Sequence, residues 1–491
     1  MGNRKSKNET SEVVMGKMQE RNVDVAVIGA GSAGLNVFRR ARAHTESVVL
    51  IEGGPYGTTC ARVGCMPSKL LIAAAEAAHD IKRAHGFGVH AEPPVINGME
   101  VMDRVRHERD RFVGFVVEDT EAIPEPHRIR GYAWFLDDHT LQVDDHTRIH
   151  ADRIVIATGS TPSILPMFEG LGDRLVINDD VFSWIDLPES VAVFGPGVIG
   201  LELGQALHRL GVRMRMFGLS GRFLRALGNS EVQEYALRQF QSEFPLDPGV
   251  KGLSLARCGQ QVALRFIDRE SGGQVEELFD YVLVATGRTP NVKGLALENT
   301  SLALDAKGVP EYDATTLRCG KSHIFIAGDV NNDLPLLHEA SDEGCIAGDN
   351  AGRFPQVQPG RRRSPLSVIF SDPQVAMVGE SWAHLQKRPY VVGRVSFEGQ
   401  GRSRVMLKNQ GLMHVYADPA SGQFLGAQIF GPQAEHLGHL LSWAHQQQLT
   451  IAQMLEMPFY HPVIEEGLRT ALRDAKTQVQ ATPAIPLRKS A

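Results

Sequence analysis

Apolar and polar positions follow one another along this chain in a pattern that recurs. In VDVAVIGAGSAGLNVFRRARAHTESVVLIE, from Val23 to Glu52, an apolar run meets a glycine-rich turn. Residues spaced for one helical face come next, then a second apolar run. That order predicts strand, turn, amphipathic helix, strand. SVAVFGPGVIGLELGQALHRLGVRMRMFG, from Ser190 to Gly218, predicts the same unit a second time. RIVIATGSTP (Arg153–Pro162) and YVLVATGRTP (Tyr281–Pro290) are apolar strands with like endings, and HIFIAGDV (His323–Val330) is another, closed by Gly328 and Asp329. Beyond GRRRSP (Gly360–Pro365) the period changes. VMLKNQGLMHVYADPASGQFLGAQIFG alternates like antiparallel strands about a DPASG turn, and AEHLGHLLSWAHQQQL has helical spacing.

These markers predict an α/β protein with two Rossmann-like dinucleotide-binding domains and a C-terminal α+β domain. The expected boundaries are a tail at 1–22, a first dinucleotide domain at 23–163, an inserted second one at 164–289, a return segment at 290–360, the C-terminal domain at 361–478 and a tail at 479–491.

Each repeated unit carries G-x-G-x-x-G where strand passes into helix: Gly29, Gly31 and Gly34, then Gly195, Gly197 and Gly200. The first glycine makes the tight turn and the second lets backbone approach a pyrophosphate. The third allows helix to pack on strand, with the helix N-terminus facing the phosphates. Glu52, eighteen positions after Gly34, is placed to accept a bond from a ribose hydroxyl. The equivalent position in the second unit is Gly218, with Arg213, Arg215, Arg222 and Arg225 nearby as candidates for a 2′-phosphate, so NAD and NADP both remain open there. Pro196 removes one backbone N–H from the second turn.

Composition narrows the class. The chain has 491 residues, 43% hydrophobic and 22% charged, with a net charge of -6 and no basic stripe, which argues against nucleic acid as a partner. No apolar run is long enough for a membrane span. The polar first 22 residues read as a tail on a cytoplasmic enzyme, although Gly2 and Ser6 fit a loose myristoylation pattern. Five cysteines do not make a secreted disulfide framework. Cys60 and Cys65 stand together in YGTTCARVGCMPSK, directly after the first dinucleotide unit and at the start of an expected helix, SKLLIAAAEAAHDIKR. No second Cys or His pair has suitable spacing for a four-ligand zinc site, so no metal site is expected. A structural staple and a working dithiol remain; a helix N-terminus favours the thiolate of the second.

TCARVGCMPSK, the two glycine fingerprints, the two ATG turns, IFIAGDV and YHPVIEEG resemble, in combination and in order, the pyridine nucleotide–disulfide oxidoreductases, and within them the dihydrolipoamide dehydrogenases. The resemblance runs from about Val23 to about Asp474. It implies FAD at the first dinucleotide site, NAD or NADP at the second, and a homodimer with the active site shared between subunits. It implies that Cys65 lies next to the flavin and that Cys60 exchanges with substrate. Lys69 is then placed against the flavin ring and paired with Glu202, Asp329 holds the ribityl chain, and Gly159 and Gly287 are further cofactor-facing positions. His461 and Glu466 match the acid/base dyad that reaches the partner's cysteines. The implied reaction oxidises dihydrolipoamide, free or on a lipoylated protein, with NAD+; the alternative is NAD(P)H-driven reduction of another small disulfide, a quinone or a metal ion. Four positions depart from the family pattern: Thr58 for the second glycine of Gly-Gly-Thr-Cys, Phe459 for the first imidazole of His-x-His-Pro, Val463 for threonine, and Gly218 for an acid.

Overall fold

The computed structural model describes residues 18–479, so the Gly2/Ser6 pattern and nearly all of the expected C-terminal tail lie outside the described residues. The chain divides into two compact units. Among the described residues, one is built from 18–56, Val117–Gly159 and Pro290–Arg361, the other from Gly57–Val116, Ser160–Thr289 and 362–479.

In the first unit, Gln19–Ile28 runs parallel to Val48–Glu52 on one side and to Thr147–Ile156 on the other. This strand starts inside the stretch expected to be tail, because Gln19–Val23 already pair with Thr147–Ala151. On its far edge Thr147–Ile156 is shared. Its first half pairs antiparallel with Thr140–Val143 and its last residues pair parallel with Ile324–Ile326. Val25, Val27, Ile154 and Ile326 are buried, as expected of parallel strands covered on both faces. The helix Leu337–Gly352 lies against Ser32–Ala41 through glycines one turn apart. A Cβ on Gly344 would come within 2.5 Å of the Ala33 carbonyl, and one on Gly348 within 2.6 Å of the Val37 carbonyl. Only glycine permits that approach.

The second unit holds the repeat. Leu246–Asp247, Arg213–Phe217, Ser190–Phe194, Tyr281–Val284 and Leu175–Val176 form a parallel sheet in that order. The C-terminal segment forms the expected antiparallel sheet, in which Leu412–Ala417 pairs with Phe424–Gly431 around the DPASG turn, packed beneath the helix Ala434–Gln446. The sequence reading placed Gly57–Val116 in the first dinucleotide domain, whereas it packs in this unit. Leu71, Ile72 and Ala75 share one core with Leu203 and Leu207 and with C-terminal Ile369, Val375 and Phe430. The cause is the apolar face of Cys65–Arg83, which is buried against Val198–Arg209.

Gly348→Leu should wedge the two glycine-packed helices apart and cost roughly 1–3 kcal/mol or more, read as a lower urea midpoint.

Candidate functional site

The two glycine turns are local copies of each other. Gly29 and Gly195 have φ of 108° and 109°, and a Cβ on either would lie 2.3 Å from a carbonyl, that of Ala157 or Ala285. A Cβ on Gly34 or Gly200 would strike the carbonyl of Gly29 or Gly195, at 1.8 and 2.0 Å. A Cβ on Gly31, Gly197, Gly159 or Gly287 would meet nothing within 4 Å, so those positions border open space. The helices that follow, Ser32–Ala41 and Val198–Arg209, start with no side-chain cap at Gly31 and Gly197. Uncapped first-turn N–H groups beside an open glycine face fit a bound pyrophosphate.

Other groups around the first turn fit the rest of a dinucleotide. The Glu52 carboxylate reaches back to the turn and accepts the Ala30 N–H at 2.7 Å and the Gly54 N–H at 2.7 Å. Asp329 is half-buried at the start of the short turn Asp329–Asn331. That turn is held by Glu343, which accepts the Gly328 N–H and the Asn331 side-chain amide, each at 2.7 Å. Glu343 was missed in the sequence; its only signal is an acid among the small residues of its helix.

The second turn differs for a steric reason. A Cβ on Gly218 would lie 2.2 Å from the Pro248 carbonyl, and the Gly218 N–H donates to the Asp247 carbonyl at 2.6 Å. No acid fits there. Arg215 is paired with Asp268 and Glu277, and Arg213 with Glu277 over the Phe279 ring. Arg222 and Arg225 are exposed, on a loop anchored to the turn by the Leu224 N–H to the Pro196 carbonyl at 3.1 Å.

The dithiol lies in the second unit. Cys60 sits in the helix Thr59–Val63 and Cys65 begins Cys65–Arg83, earlier than the predicted start at Ser68. Thr58 holds φ 55°, the left-handed backbone that explains a glycine at this position, and its hydroxyl accepts the Ala61 N–H at 3.4 Å. Both cysteines are free thiols. The hydrogen bond with Cys60 and, against burial, the charge of Lys69 lower Cys65 to about 7, while the same bond and burial push Cys60 up. Lys69 Nζ donates to Glu202 Oε2 at 2.7 Å and lies 4.5 Å from the centre of the Phe370 ring. The other oxygen, Glu202 Oε1, accepts the Phe370 N–H at 2.9 Å. Phe370 was not legible as a site residue, since nothing in its sequence surroundings points to Lys69.

The third cluster belongs to the C-terminal segment. His461 Nδ1 is 2.9 Å from Glu466 Oε2, and the His461 side chain is 80% exposed. Pro462 lies before the helix that carries Glu466. The helix is Glu465–Gln478, with both acids in its first turn, where the helix dipole favours them. Arg469 donates to Glu466 Oε1 at 2.7 Å and lies over the Phe459 ring. Burial opposes the Glu466 charge, but the bonds from His461 and the Val463 N–H, together with Arg469, hold its carboxyl below the usual range. Among the described residues no three His, Cys, Asp or Glu side chains are grouped to hold a metal ion, and no helix is long and apolar enough to cross a membrane.

Removing one partner of a largely buried ion pair strands the other. Lys69→Met should therefore lower stability by roughly 3 kcal/mol in urea titration. Cys60→Ala should move the pH midpoint of Cys65 alkylation upward, because the bond that lowers it is lost.

Residues 23–344 match the pyridine nucleotide-disulphide oxidoreductase family and 366–472 match its dimerisation domain. The chain is 30% identical to the dihydrolipoyl dehydrogenase of Chlamydia trachomatis, over 94% of this chain and 98% of that protein. It is 31% identical to dihydrolipoyl dehydrogenase 3 of Pseudomonas aeruginosa, over 92% and 97%. Among solved structures it shares the fold of the HOCl-induced flavoprotein disulfide reductase RclA of Escherichia coli, with TM-score 0.76, 20% identity and coverage of 93% and 100%. It shares it also with LpdA of Mycobacterium tuberculosis, with TM-score 0.77, 23% identity and coverage of 92% and 99%. The chain thus belongs to the pyridine nucleotide-disulphide oxidoreductases, FAD-dependent enzymes that work with a nicotinamide nucleotide.

Proposed function

We propose that this protein is a dihydrolipoyl dehydrogenase that oxidises dihydrolipoamide, free or on a lipoylated protein, through a Cys60–Cys65 disulfide. The observation that carries this reading is the asymmetric dithiol, with Cys65 lowered to about 7 and Cys60 pushed up, beside the Lys69–Glu202 pair. Two thiols tuned apart suit a pair in which one is the leaving group and the other the exchanging sulfur. The identities of about 30% with named dihydrolipoyl dehydrogenases over nearly the whole chain support the same substrate.

Oxidation begins with the enzyme disulfide. His461 takes the proton of one substrate thiol at Nε2, with Nδ1 held by Glu466. The resulting thiolate attacks the Cys60 sulfur, forming a mixed disulfide and releasing Cys65 as thiolate. The second substrate thiol attacks the substrate sulfur of that bond and its proton passes to the departing Cys60, closing the oxidised ring and freeing Cys60 as a thiol. Substrate has lost two electrons and two protons: Cys60 holds one proton, His461 the other, and Cys65 is a thiolate. FAD, when bound, supplies the two-electron transfer that passes this reduction to NAD+ or NADP+. Gly29, Gly31, Gly34, Glu52, Gly159 and Asp329 would hold FAD, and Gly195, Gly197, Gly200 and Gly287 the nicotinamide nucleotide. The segment matched by the dimerisation domain would form a homodimer in which His461 and Glu466 serve the partner's dithiol.

A second reading, an NAD(P)H-driven reductase of another small disulfide, a quinone or a metal ion, is favoured by Phe459. It puts a ring under Arg469 where an imidazole is the family pattern.

Steady-state oxidation of dihydrolipoamide with NAD+ and with NADP+ tests the assignment. Turnover should be abolished in Cys60→Ser, and His461→Gln should lower it on the order of 10²–10⁴-fold. NAD(P)H oxidation without dihydrolipoamide turnover would transfer the assignment to the second reading. The better nucleotide decides whether Arg222 and Arg225 meet a 2′-phosphate.

A further inference from the structure

The helix Val198–Arg209 does more than open the second glycine turn. Glu202, Gln205 and Arg209 lie along one of its faces and are 6%, 4% and 5% exposed. All three bind the short segment Phe370–Pro373. Glu202 Oε1 accepts the Phe370 N–H at 2.9 Å. Gln205 takes both sides of the Asp372 backbone, accepting its N–H at 2.9 Å and donating to its carbonyl at 2.7 Å. Arg209 donates to Asp372 Oδ2 and to the Asp372 carbonyl, each at 3.1 Å, and to Glu243 at 2.6 Å. Gln205 also donates to Glu243, at 2.7 Å. The polar atoms that would otherwise be stranded in this interior are therefore used to fix one backbone segment at successive points.

That segment ends against the dithiol helix. Phe370 offers its ring to the Lys69 ammonium and its N–H to the carboxylate that Lys69 also binds. The two contacts have one electrostatic consequence. The Phe370 N–H draws Glu202 charge toward itself, so Lys69 is less fully neutralised and keeps more of its field for Cys65. The titratable and charged groups acting on Cys65 are Cys60, Lys69 and Glu202, and the last two are the ones that Phe370 contacts.

We propose that Gln205 and Arg209 are positioning residues for the redox centre: by clamping Phe370–Pro373 they fix how the Lys69 charge is divided between Glu202 and Cys65. The inference rests on the reading of Cys65 as a working thiolate. It adds residues that reach the dithiol only through the clamped segment, with Arg209 about 10 Å along the helix from Glu202 at 1.5 Å per residue.

The test is the pH dependence of iodoacetamide alkylation of the reduced holoenzyme. Label is read on the tryptic peptide that begins after Arg62, which carries Cys65 without Cys60. Gln205→Met changes no charge. It should raise the midpoint by about half a pH unit, which is about a threefold slower reaction below the midpoint. Glu202→Gln should move the midpoint down, because the acid that opposes the thiolate is gone. This opposite sign separates clamp loss from general loosening. If Gln205→Met does not accumulate as folded protein, Arg209→Lys carries the test. It keeps the charge but does not span Glu243 and Asp372 together, and it should also raise the midpoint. An unchanged midpoint in a folded clamp variant with a lowered Tm overturns the proposal and leaves a purely structural network. Because alkylation needs no disulfide substrate, this result is independent of whether dihydrolipoamide is turned over.

Discussion

The Lys69–Glu202 ion pair is the constraint around which the second unit is organised. It ties the helix that opens with Cys65 to the helix that opens at the second glycine turn, and through the Phe370 N–H it takes in the C-terminal segment. With Glu202 6% exposed, the pair sits where leaving either charge alone is expensive. The three segments are held in one arrangement by that cost. The hydrogen bond with Cys60 and, after it, the ammonium that satisfies Glu202 lower the Cys65 thiol. The pair thus contributes both to packing and to the Cys65 thiol.

The two glycine turns show a different kind of constraint, made of sterics. The near-identical φ values and carbonyl clearances at Gly29 and Gly195 mean that the backbone path is dictated by where strand must meet helix. The two copies differ at the end of the second strand. In the first unit Glu52 folds back onto its turn. In the second, Gly218 lies under the Pro248 backbone, and the position that an acid would use is filled by the chain itself. Two copies of one local solution are in this way bordered differently.

What was legible before folding is what depends on short spacing. The G-x-G-x-x-G turns, the Cys60–Cys65 pair and the His461–Glu466 dyad each span a few residues, so backbone geometry brings their members together with little help. Periodicity likewise marked the C-terminal hairpin and its helix, since alternation and helical spacing express a buried face. Only the tertiary structure decided the rest. Phe370 meets Lys69, and Gln205 and Arg209 meet Asp372, across long stretches of chain, and Glu343 meets Gly328 from the following helix. The side chains that make those contacts carry no local signature of their partners. The grouping of Gly57–Val116 with the second unit was hidden for the same reason: an apolar helix face states that it must be buried, but not against what.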